Sequence, residues 1–483
     1  MNARRSAPVR TALVWFRRDL RLTDNPALRH ALEHAERVVP VYVHSPDDEH
    51  PWAPGAASRW WLHHSLTALD ASLRKIGSRL VVQRGEASTV LRHCIRETGA
   101  TLVCWNKLYE PAALKRDARI AAALDDDGVS VEQSNAALLF EPGTILNGQK
   151  LPYRVFTPFW RTAETQLSTL PVPSRAPRRL PRAPRGLSGI GIDDLALLPK
   201  IRWDDGLTQT WTPGEAGALK QLRQFSKHVA SYPTGRDRPD RAETSRLSPH
   251  LHFGEIGPRQ IVAALRHSNT AAAQAKGTDS YLRQIGWREF AHHLLFHFPE
   301  TTDAPLDKRF AKQKWRRSAS DLRAWQRGAT GIPLVDAGMR ELWRTGWMHN
   351  RIRMIAASVL TKNLQIHWLQ GAQWFWETLV DADLANNTLG WQWVAGCGAD
   401  AAPYYRIFNP VLQAKRFDPV RSYIRHWVPE LARLPDRWIH QPWAAPEAVL
   451  QRAGVVFDKT YPRPVLDLGE SRKRALQVYS QLR

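Results

Sequence analysis

Charged side chains stand inside an apolar stretch in the last third of the chain. Arg351 and Arg353 lie among apolar residues in the segment TGWMHNRIRMIAASVLTKN, and Asp381 and Asp383 follow downstream. Because an unpaired buried charge is costly, such ions need partners. The pattern predicts an ion pair between Arg353 and Asp381, which taken alone also has an ordinary structural explanation.

Indole rings are the second chemically useful feature. The chain has 21 tryptophans, and Trp391 and Trp393 lie close together beside Gly390. Most of the tryptophans must belong to the core, because this side chain buries a large area. A cluster of them can also stack on flat ligands or carry electrons.

A turn rich in hydroxyl groups precedes a predicted helix start at Pro249. Thr244, Ser245 and Ser248 surround Arg246 there. Hydroxyls and backbone N–H groups in short turns at helix N-termini bind phosphate well. Simple N-capping explains the same residues, so both interpretations stay open.

A helical segment, YLRQIGWREFAHHLLFHFP, places three polar or aromatic groups on one face. Tyr281, Gln284 and Arg288 recur at spacings of three and four, and Trp287 lies three residues from Gln284. Such a face can stack on a nucleic-acid base and hydrogen-bond it. An amphipathic helix with a core tryptophan has the same pattern.

Composition narrows the class of protein. Lys and Arg number 68 against 46 Asp and Glu, a net charge of +22 that favours nucleic acid as partner.

Cys94, Cys104 and Cys397 have no CxxC spacing, and no HExxH or Cys/His cluster predicts a metal. No apolar run approaches the roughly 20 residues of a membrane span, and no secretory signal is evident. We expect a soluble, cytoplasmic monomer.

The N-terminal part alternates short apolar runs with helical stretches, which predicts a doubly wound parallel α/β sheet. The predicted strands are 11–16, 38–43, 79–83, 101–105 and 129–131, and the predicted helices between them are 25–36, 57–75, 86–97 and 111–124. No GxGxxG follows the first strand, so a dinucleotide fingerprint is absent.

The rest of the chain is predicted to be helical after a connection rich in Pro, Arg, Gly and Ser between about 170 and 200. The predicted helices are 217–232, 258–266, 280–298, 334–345, 350–363 and 373–379. We expect an α/β domain at 1–140, a linker at 141–214 and a larger all-α domain at 215–483.

Long motifs in a fixed order show a family resemblance. FRRDLRLTDNPAL, TSRLSPHLHFGE, WREF, DADLANN, WQW and DAAPYYRIFNP resemble the DNA photolyase and cryptochrome superfamily, from about Thr11 to Leu476. HLHFGEIG and RQIGWREF resemble the bacterial group called class III photolyases. The resemblance implies an antenna-binding α/β domain and a helical domain that binds FAD and DNA.

The resemblance implies a set of FAD-binding positions. They are Tyr232, Thr244, Ser245, Arg246, Leu247, Ser248, Tyr281, Asn350, Arg353, Asp381, Ala382, Asp383 and Asn387. It places Asn387 beside flavin N5, where an amide cannot act as an acid at neutral pH. Asn387 should therefore favour an anionic reduced flavin, the electron donor for repair.

The resemblance also implies a relay of tryptophans that reduces the flavin under light. Trp391 would lie nearest the flavin, Trp368 next, and Trp315 nearest solvent. Core packing remains an alternative role for the same residues.

DNA recognition would use Trp287 and Trp393 as stacking walls for a pyrimidine dimer flipped out of the duplex. The candidate DNA contacts are Arg236, Gln284, Trp287, Arg288, Asn350, Arg351, Met354, Trp393, Arg406 and Gln413. Photolyases for 6-4 photoproducts use two histidines where this chain has Asn350 and Met354. Since neither can supply a proton, repair of cyclobutane pyrimidine dimers is favoured.

Two other functions remain possible, and several residues differ from the pattern of the family. A blue-light receptor without repair activity is the main alternative, and 6-4 repair is the other. Gln284 occupies a position where many dimer photolyases have glutamate, Tyr281 replaces a common tryptophan, and Thr388-Leu389 replaces Asn-Gly.

The second, light-harvesting pigment is expected to be methenyltetrahydrofolate, with a deazaflavin as alternative. Asn106, Lys107, Tyr109 and Glu110 are nearby polar candidates. Ala112 and Ala113 replace an Asn-Glu pair that is common in one folate-binding group.

Overall fold

The computed structural model describes residues 9–181, 187–267, 272–401 and 405–482. Its N-terminal part contains five parallel strands in the order β3-β2-β1-β4-β5, which confirms the doubly wound α/β fold. The elements are β1 Val9–Phe16, α1 Pro26–His34, β2 Ala35–His44, α2 Ala56–Lys75, β3 Val81–Arg84, α3 Ala87–Thr98, β4 Leu102–Asn106, α4 Pro111–Asp126 and β5 Ser130–Ser134.

The central strand β1 explains why this sheet is buried on both faces. Side chains alternate along a strand, so Val14 and Phe16 pack into one core while Leu13 and Trp15 pack into another. All four are at most 1% exposed. A strand covered by helices on both faces has the nearly continuous apolar sequence seen here.

The boundaries differ from the predicted ones mainly at tight junctions. The helix predicted at 25–36 ends at His34, because β2 begins at once with Ala35. Asn25 caps the start of α1 by accepting a hydrogen bond from the N–H of Leu28 at 3.1 Å.

The segment between the two halves packs on both of them. Helix α5, Phe156–Thr165, lies against a long helix of the second half, where a Cβ added to Gly286 would lie 2.2 Å from the Trp160 ring. Further along, the N–H of Ile190 donates to the carbonyl of Val82 at the sheet edge at 2.9 Å. This contact shields the exposed edge of β3 from pairing with another chain.

The second half of the described chain is helical. Its α-helices are α6 Asp205–Thr210, α7 Glu215–His228, α8 Tyr232–Gly235, α9 Ser248–His252, α10 Pro258–His267, α11 Ala272–His297, α12 Ala319–Gln326, α13 Pro333–Thr345, α14 Asn350–Ser358, α15 Trp368–Thr378, α16 Leu384–Ala395, α17 Pro410–Phe417, α18 Ser422–Trp427, α19 Glu447–Ala453 and α20 Leu468–Ser480. Among these, α6, α12 and α16 to α20 lie outside the predicted helices, and α8 shares only Tyr232 with one of them.

Several predicted helices change at their ends. The helix predicted at 217–232 ends at His228, and the one predicted at 280–298 begins earlier, at Ala272. Helix α14 ends at Ser358 and continues as a π-helical turn, Val359–Asn363. No helix of the described ranges is both long and apolar enough to cross a membrane.

Candidate functional site

A cavity of about 720 Å³ lies in the helical half, between α8, α9, α11, α14 and α16. Its volume falls within the range of about 300–1,000 Å³ that is typical of small-molecule and cofactor sites. The predicted site residues that line it are Tyr232, Arg236, Thr244, Ser245, Arg246, Ser248, Tyr281, Gln284, Trp287, Arg288, Asn350, Arg351, Arg353, Met354, Asp381, Ala382, Asp383, Asn387, Trp391, Trp393 and Arg406.

The predicted ion pair is present at the buried end of this cavity. Nη2 of Arg353 donates to both carboxylate oxygens of Asp381, at 2.9 and 3.1 Å. Nε of Arg353 donates to the carbonyl of Met348 at 2.7 Å, which fixes the guanidinium plane. The Asp381 side chain is 4% exposed and that of Arg353 is 23% exposed. The guanidinium of Arg353, oriented by these hydrogen bonds, can stabilise negative charge on a ligand.

Asp383 is a buried carboxylate between two imidazoles. Its Oδ2 lies 3.5 Å from Nε2 of His292 and 3.8 Å from Nδ1 of His252, while its Oδ1 accepts from the N–H of Asn386 at 2.9 Å. Burial alone would raise the pKa of Asp383, but the nearby His292, His252 and Arg288 hold that pKa well below its usual range. Asp383 is therefore an ionised acceptor facing the cavity.

The turn that contains the predicted hydroxyl groups is held in place by Tyr281. The Tyr281 hydroxyl donates to Oγ of Ser245 at 2.9 Å, and Ser245 Oγ accepts from the N–H of Leu247 at 3.3 Å. Thr244 is half-buried, and Ser248 is the exposed first residue of α9. Both hydroxyl groups line the cavity and are available to a polar ligand.

Arg246 extends from this turn in an unusual backbone conformation, with φ of +50°. Its guanidinium lies between two indoles, 5.3 Å from the Trp211 ring centroid and 4.8 Å from that of Trp347. Stacking on aromatic faces stabilises a planar cation without using its hydrogen-bond donors. Arg246 therefore presents donors to an anionic group in the cavity.

The amide of Asn387 has a defined orientation. Its Nδ2 donates to the carbonyl of Ala372 at 3.0 Å, and the side chain is half-buried at the cavity wall. This hydrogen-bond assignment leaves Oδ1, which is only an acceptor, for a ligand.

Aromatic rings and arginines form the more exposed end of the cavity. Trp287 stacks on Phe156 with ring centroids 3.8 Å apart and an interplanar angle of 10°, so its other face is left for the cavity. Trp393 donates from Nε1 to the carbonyl of Asp400 at 3.0 Å. The exposed Arg406 lies 5.9 Å from the Trp393 ring centroid.

Several of the predicted DNA contacts have protein partners. Nη2 of Arg236 donates to Oε1 of Gln284 at 3.0 Å, and Nη2 of Arg351 pairs with Asp237 at 2.7 Å. Arg288 is 11% exposed and donates to the carbonyl of Ala137 at 2.7 Å, which places it in the cavity wall. Its position is more buried than a direct phosphate contact requires.

Four predicted residues lie outside the cavity lining. The Leu247 side chain is fully buried in the core, so only its backbone can serve a ligand. Gln413 is half-buried on α17, and Trp368 and Trp315 lie beyond the cavity wall. Within the lining, the amide of Asn350 lies 4.0 Å from the Met354 sulfur at the exposed start of α14.

Two of the three tryptophans predicted to form a relay are linked through the ring of His367. Trp315 lies 5.0 Å from the His367 ring, and His367 lies 5.8 Å from Trp368. Trp368 begins α15, and one turn later a Cβ added to Gly371 would lie 2.0 Å from the Trp391 ring. Ring contacts thus connect the partly exposed Trp315 to Trp368, and Trp391 lines the cavity, while the step from Trp368 to Trp391 remains a prediction.

The sequence-based prediction missed several lining residues. Trp347, His252 and Asp237 line the cavity, and His292 supports Asp383 from behind. Trp347 and His252 stood in quoted motifs, but nothing in their spacing distinguishes them from core residues. Asp237 follows Arg236 directly, and its pairing with Arg351 depends on a tertiary contact.

The polar residues considered for a light-harvesting pigment are occupied by protein partners. Asn106 donates to Asp19 at 2.6 Å and to Asn25 at 2.8 Å. Lys107 and Tyr109 both bond Glu141 at 2.8 Å, while Glu110 pairs with Arg18 at 2.5 Å. The pigment remains a prediction.

The cavity suits a large cofactor that is partly anionic and partly flat. Hydroxyls of Thr244 and Ser248 and the Arg246 guanidinium offer donors for phosphate, while Asp383 and Asn387 offer acceptors for ring N–H groups. Nδ1 of His252 lies 3.8 Å from the Asp383 carboxylate, too far for a hydrogen bond, so a bound polar group can satisfy this buried nitrogen. These residues fit FAD.

The fold and the site together define a two-domain protein with a cofactor cavity in its helical half. A family model described as DNA photolyase matches residues 12–178, and one described as the FAD binding domain of DNA photolyase matches residues 281–481. Deoxyribodipyrimidine photo-lyase of Agrobacterium fabrum is 45% identical, with 99% of each chain covered. The chain therefore belongs to the photolyase and cryptochrome family.

Two further comparisons refine this assignment. Cryptochrome-1 of Arabidopsis thaliana is 38% identical and covers 98% of this chain, which spans 70% of the plant protein. The crystal structure of a class III photolyase from Agrobacterium tumefaciens superposes with a TM-score of 0.94 at 45% identity, covering 99% of this chain and 98% of the other.

Proposed function

We propose that this protein repairs cyclobutane pyrimidine dimers in DNA under blue light, with reduced FAD as cofactor. The observation that carries the proposal is one continuous cavity. Its buried end contains Arg353, Asp381 and Asp383, and its exposed end contains Trp393 and Arg406. A cofactor at the buried end and a base at the exposed end would lie in contact.

FAD supplies the electron chemistry when bound, because its light-excited reduced form can give an electron to the dimer and regain it after the ring splits. The cavity residues bind and orient it. Arg353 offsets negative charge, with Asp381 holding the guanidinium. The hydroxyl turn and Arg246 would bind the pyrophosphate.

Asn387 is proposed to keep the bound flavin unprotonated at its nearest nitrogen. One N–H of its Nδ2 is bonded to the carbonyl of Ala372, so the side chain presents Oδ1 and at most one further amide N–H. An amide oxygen accepts a hydrogen bond but has no proton to give at neutral pH.

The exposed end is proposed to receive a dimer flipped out of the duplex. Flipping costs less for a damaged pair because it is poorly stacked. Trp287, backed by Phe156, and Trp393 offer faces for stacking. Arg406 and the net charge of +22 favour phosphate binding, which should weaken as salt increases.

The lesion is proposed to be the cyclobutane dimer and not the 6-4 photoproduct. Asn350 and Met354 lie together at the start of α14, and both line the cavity. Neither side chain is an acid, whereas 6-4 repair needs one. Splitting of a cyclobutane ring needs only an electron that is delivered and recovered.

Gln284 is proposed to act as a hydrogen-bond donor to the dimer. Oε1 of Gln284 accepts from Arg236 at 3.0 Å and Nε2 donates to the carbonyl of Ser280 at 3.5 Å, which leaves one N–H for the cavity. A glutamate at this position would offer only acceptors when ionised. The dimer would thus be held through its carbonyl oxygens at this contact.

We further propose domain roles that follow the predicted boundaries. Residues 1–140 would bind a light-harvesting pigment, methenyltetrahydrofolate or alternatively a deazaflavin, and residues 215–483 would bind FAD and DNA. The absorption spectrum of the purified holoprotein, before and after denaturation, identifies the bound pigments.

A blue-light receptor without repair activity is the second candidate. The 38% identity to a plant cryptochrome over 98% of this chain favours it. Dimer-containing, 6-4-containing and undamaged oligonucleotides, each under blue light and in the dark, distinguish the candidates. We expect light-dependent loss of dimers only; loss of neither lesion favours the receptor, and loss of 6-4 lesions alone contradicts the assignment.

A further inference from the structure

The surface around Trp315 concentrates positive charge. The exposed basic residues within 308–317 are Lys308, Arg309, Lys312, Lys314, Arg316 and Arg317. Two of them are neutralised, because Arg309 pairs with Asp307 and Arg316 with Asp321, each at 2.6 Å. In the described part of the chain no ion pair engages the other four. We call residues 308–317 the basic segment.

Trp315 connects this segment to the interior. The indole is half-buried, so part of it reaches the surface between Lys314 and Arg316. Its ring lies 5.0 Å from His367, which stacks at 5.8 Å on Trp368 with an interplanar angle of 25°. Electrons pass most readily between groups in close contact, so the basic segment surrounds the outer end of the aromatic path.

We propose that the basic segment is the docking surface of an acidic electron-transfer protein that supplies electrons to Trp315. This inference rests on the proposed function and on the relay of Trp315, Trp368 and Trp391 that the family resemblance implies. Each light-driven electron that leaves the relay toward the cavity leaves Trp315 one electron short, as a cation radical. The partner's one-electron redox centre loses one electron, and Trp315 gains it and returns to the neutral indole, so no proton or bond change is needed.

The shape and charge of the segment favour a protein over a small reductant. Small molecules bind in concave sites, and the basic segment lines neither the large cavity nor the small one beneath Tyr405. Charge distributed over an exposed turn, Lys308–Lys312, and the following residues attracts an extended surface of opposite sign. Such charge accelerates encounter by about 10- to 1,000-fold at low salt.

The test uses the FAD-loaded, oxidised full chain and laser flashes of blue light. The patch variant changes Lys308, Lys312, Lys314 and Arg317 to Glu and leaves Trp315 intact. The matched control changes Lys75, Arg96, Lys115 and Arg119 to Glu, exposed positions on α2, α3 and α4 with the same total change in charge. Recovery of the tryptophan radical is followed with reduced flavodoxin, an acidic protein, and separately with uncharged dithiothreitol.

We expect the second-order recovery rate with flavodoxin to fall about tenfold or more in the patch variant and to lose its salt dependence. The control variant should stay within about twofold of the wild type, because its charges lie on α2, α3 and α4 and not in the basic segment. With dithiothreitol, the recovery rate of the tryptophan radical should be the same in the wild type and both variants. Repair by chemically pre-reduced protein should be unchanged.

Other outcomes overturn the proposal. Equal flavodoxin rates in patch and control variants would show that the basic segment is not the docking surface. Weaker binding of duplex DNA with an unchanged flavodoxin rate would identify the surface as a nucleic-acid contact. If dithiothreitol restores the wild type and flavodoxin does not, docking fails while the proposed function stands. If the flash produces no tryptophan radical in the wild type, the relay fails as well.

Discussion

The loop after β1 and the buried end of the cavity are equally rich in buried charge, but they use it differently. In the loop, Arg17 pairs with Asp117 at 2.5 Å, and the guanidinium of Arg21 donates to the carbonyls of Gly254, Asp24 and Ala136. These side chains are at most 6% exposed and are enclosed by protein groups. The loop is therefore closed.

At the cavity, similar groups are held by protein on one side only. Arg353 has Asp381 and the carbonyl of Met348 as partners, yet both charged side chains line open space. Buried charge alone therefore does not indicate a binding site. A binding site is indicated where protein groups orient the charges and leave them accessible to a ligand.

The largest effect should follow from loss of the cavity cation. Arg353→Leu leaves the carboxylate of Asp381 buried without its partner, which should lower the free energy of unfolding by about 3–5 kcal/mol. The variant should also purify without FAD, as measured by absorbance near 450 nm. Arg463→Leu, which breaks an exposed pair with Asp458, is the control and should cost under about 1 kcal/mol. Full FAD content in Arg353→Leu would contradict the assigned role.

The closed loop should behave differently when its charge is removed. Arg17→Leu should lower the free energy of unfolding by about 3 kcal/mol, at the low end of the range for a broken buried pair, because Asp117 keeps Arg116 at 2.9 Å. Its FAD content per folded molecule and its flavin spectrum should match the wild type. A changed spectrum in this variant would remove the distinction between the two regions.

Replacing the amide of Asn387 by a carboxyl group should alter flavin protonation with little change in the free energy of unfolding. Asn387→Asp adds a group that can donate a proton, so illuminated protein should accumulate a protonated flavin form absent from the wild type. Difference spectra after illumination measure this. Gln373→Glu makes the same amide-to-acid change at an exposed position of α15 outside the cavity lining and should leave the spectra unchanged. Wild-type spectra in Asn387→Asp would contradict the role of the amide.

The smallest effect concerns Glu341, which lies behind the cavity. Burial raises its pKa to about 7, although the Tyr423 hydroxyl donates to it at 2.7 Å. A raised pKa means that the folded state binds the proton more tightly, so this contribution to stability is present below about pH 4.5 and is lost as pH rises through 7. As pH rises from 5 to 8, the free energy of unfolding of the wild type should fall relative to that of Glu341→Gln by about 1–3 kcal/mol. Parallel pH profiles would exclude this ionisation.

Much of the fold was predictable because local patterns determine it. Strands such as β1 and β4 are short apolar runs between helices, and their parallel order follows from that alternation. Helix α16 was not predicted, since its sequence LANNTLGWQWVA combines Asn, Thr and Gly with two indoles. Tertiary burial of Trp391 on Gly371 stabilises it, and no local pattern indicates that contact.

The residues of the site were predicted from the family resemblance and from the expected ion pair of Arg353 with Asp381. The orientation of the side chains in the site was not predicted. The pair of Arg353 and Asp381 was expected and is present. The amide direction of Asn387 and the bond between Arg236 and Gln284 depend on partners distant in sequence. Such contacts follow from packing between helices, which single-chain periodicity does not encode.

The most direct test of the central claim measures dimers lost from a defined oligonucleotide by FAD-loaded, chemically reduced protein under blue light without oxygen, with a dark control. The account predicts light-dependent loss of cyclobutane dimers, retained in Trp391→Phe because reduction has already been done chemically, and strongly impaired in Trp393→Ala. No light-dependent loss of dimers by the wild type with fully reduced FAD would contradict it.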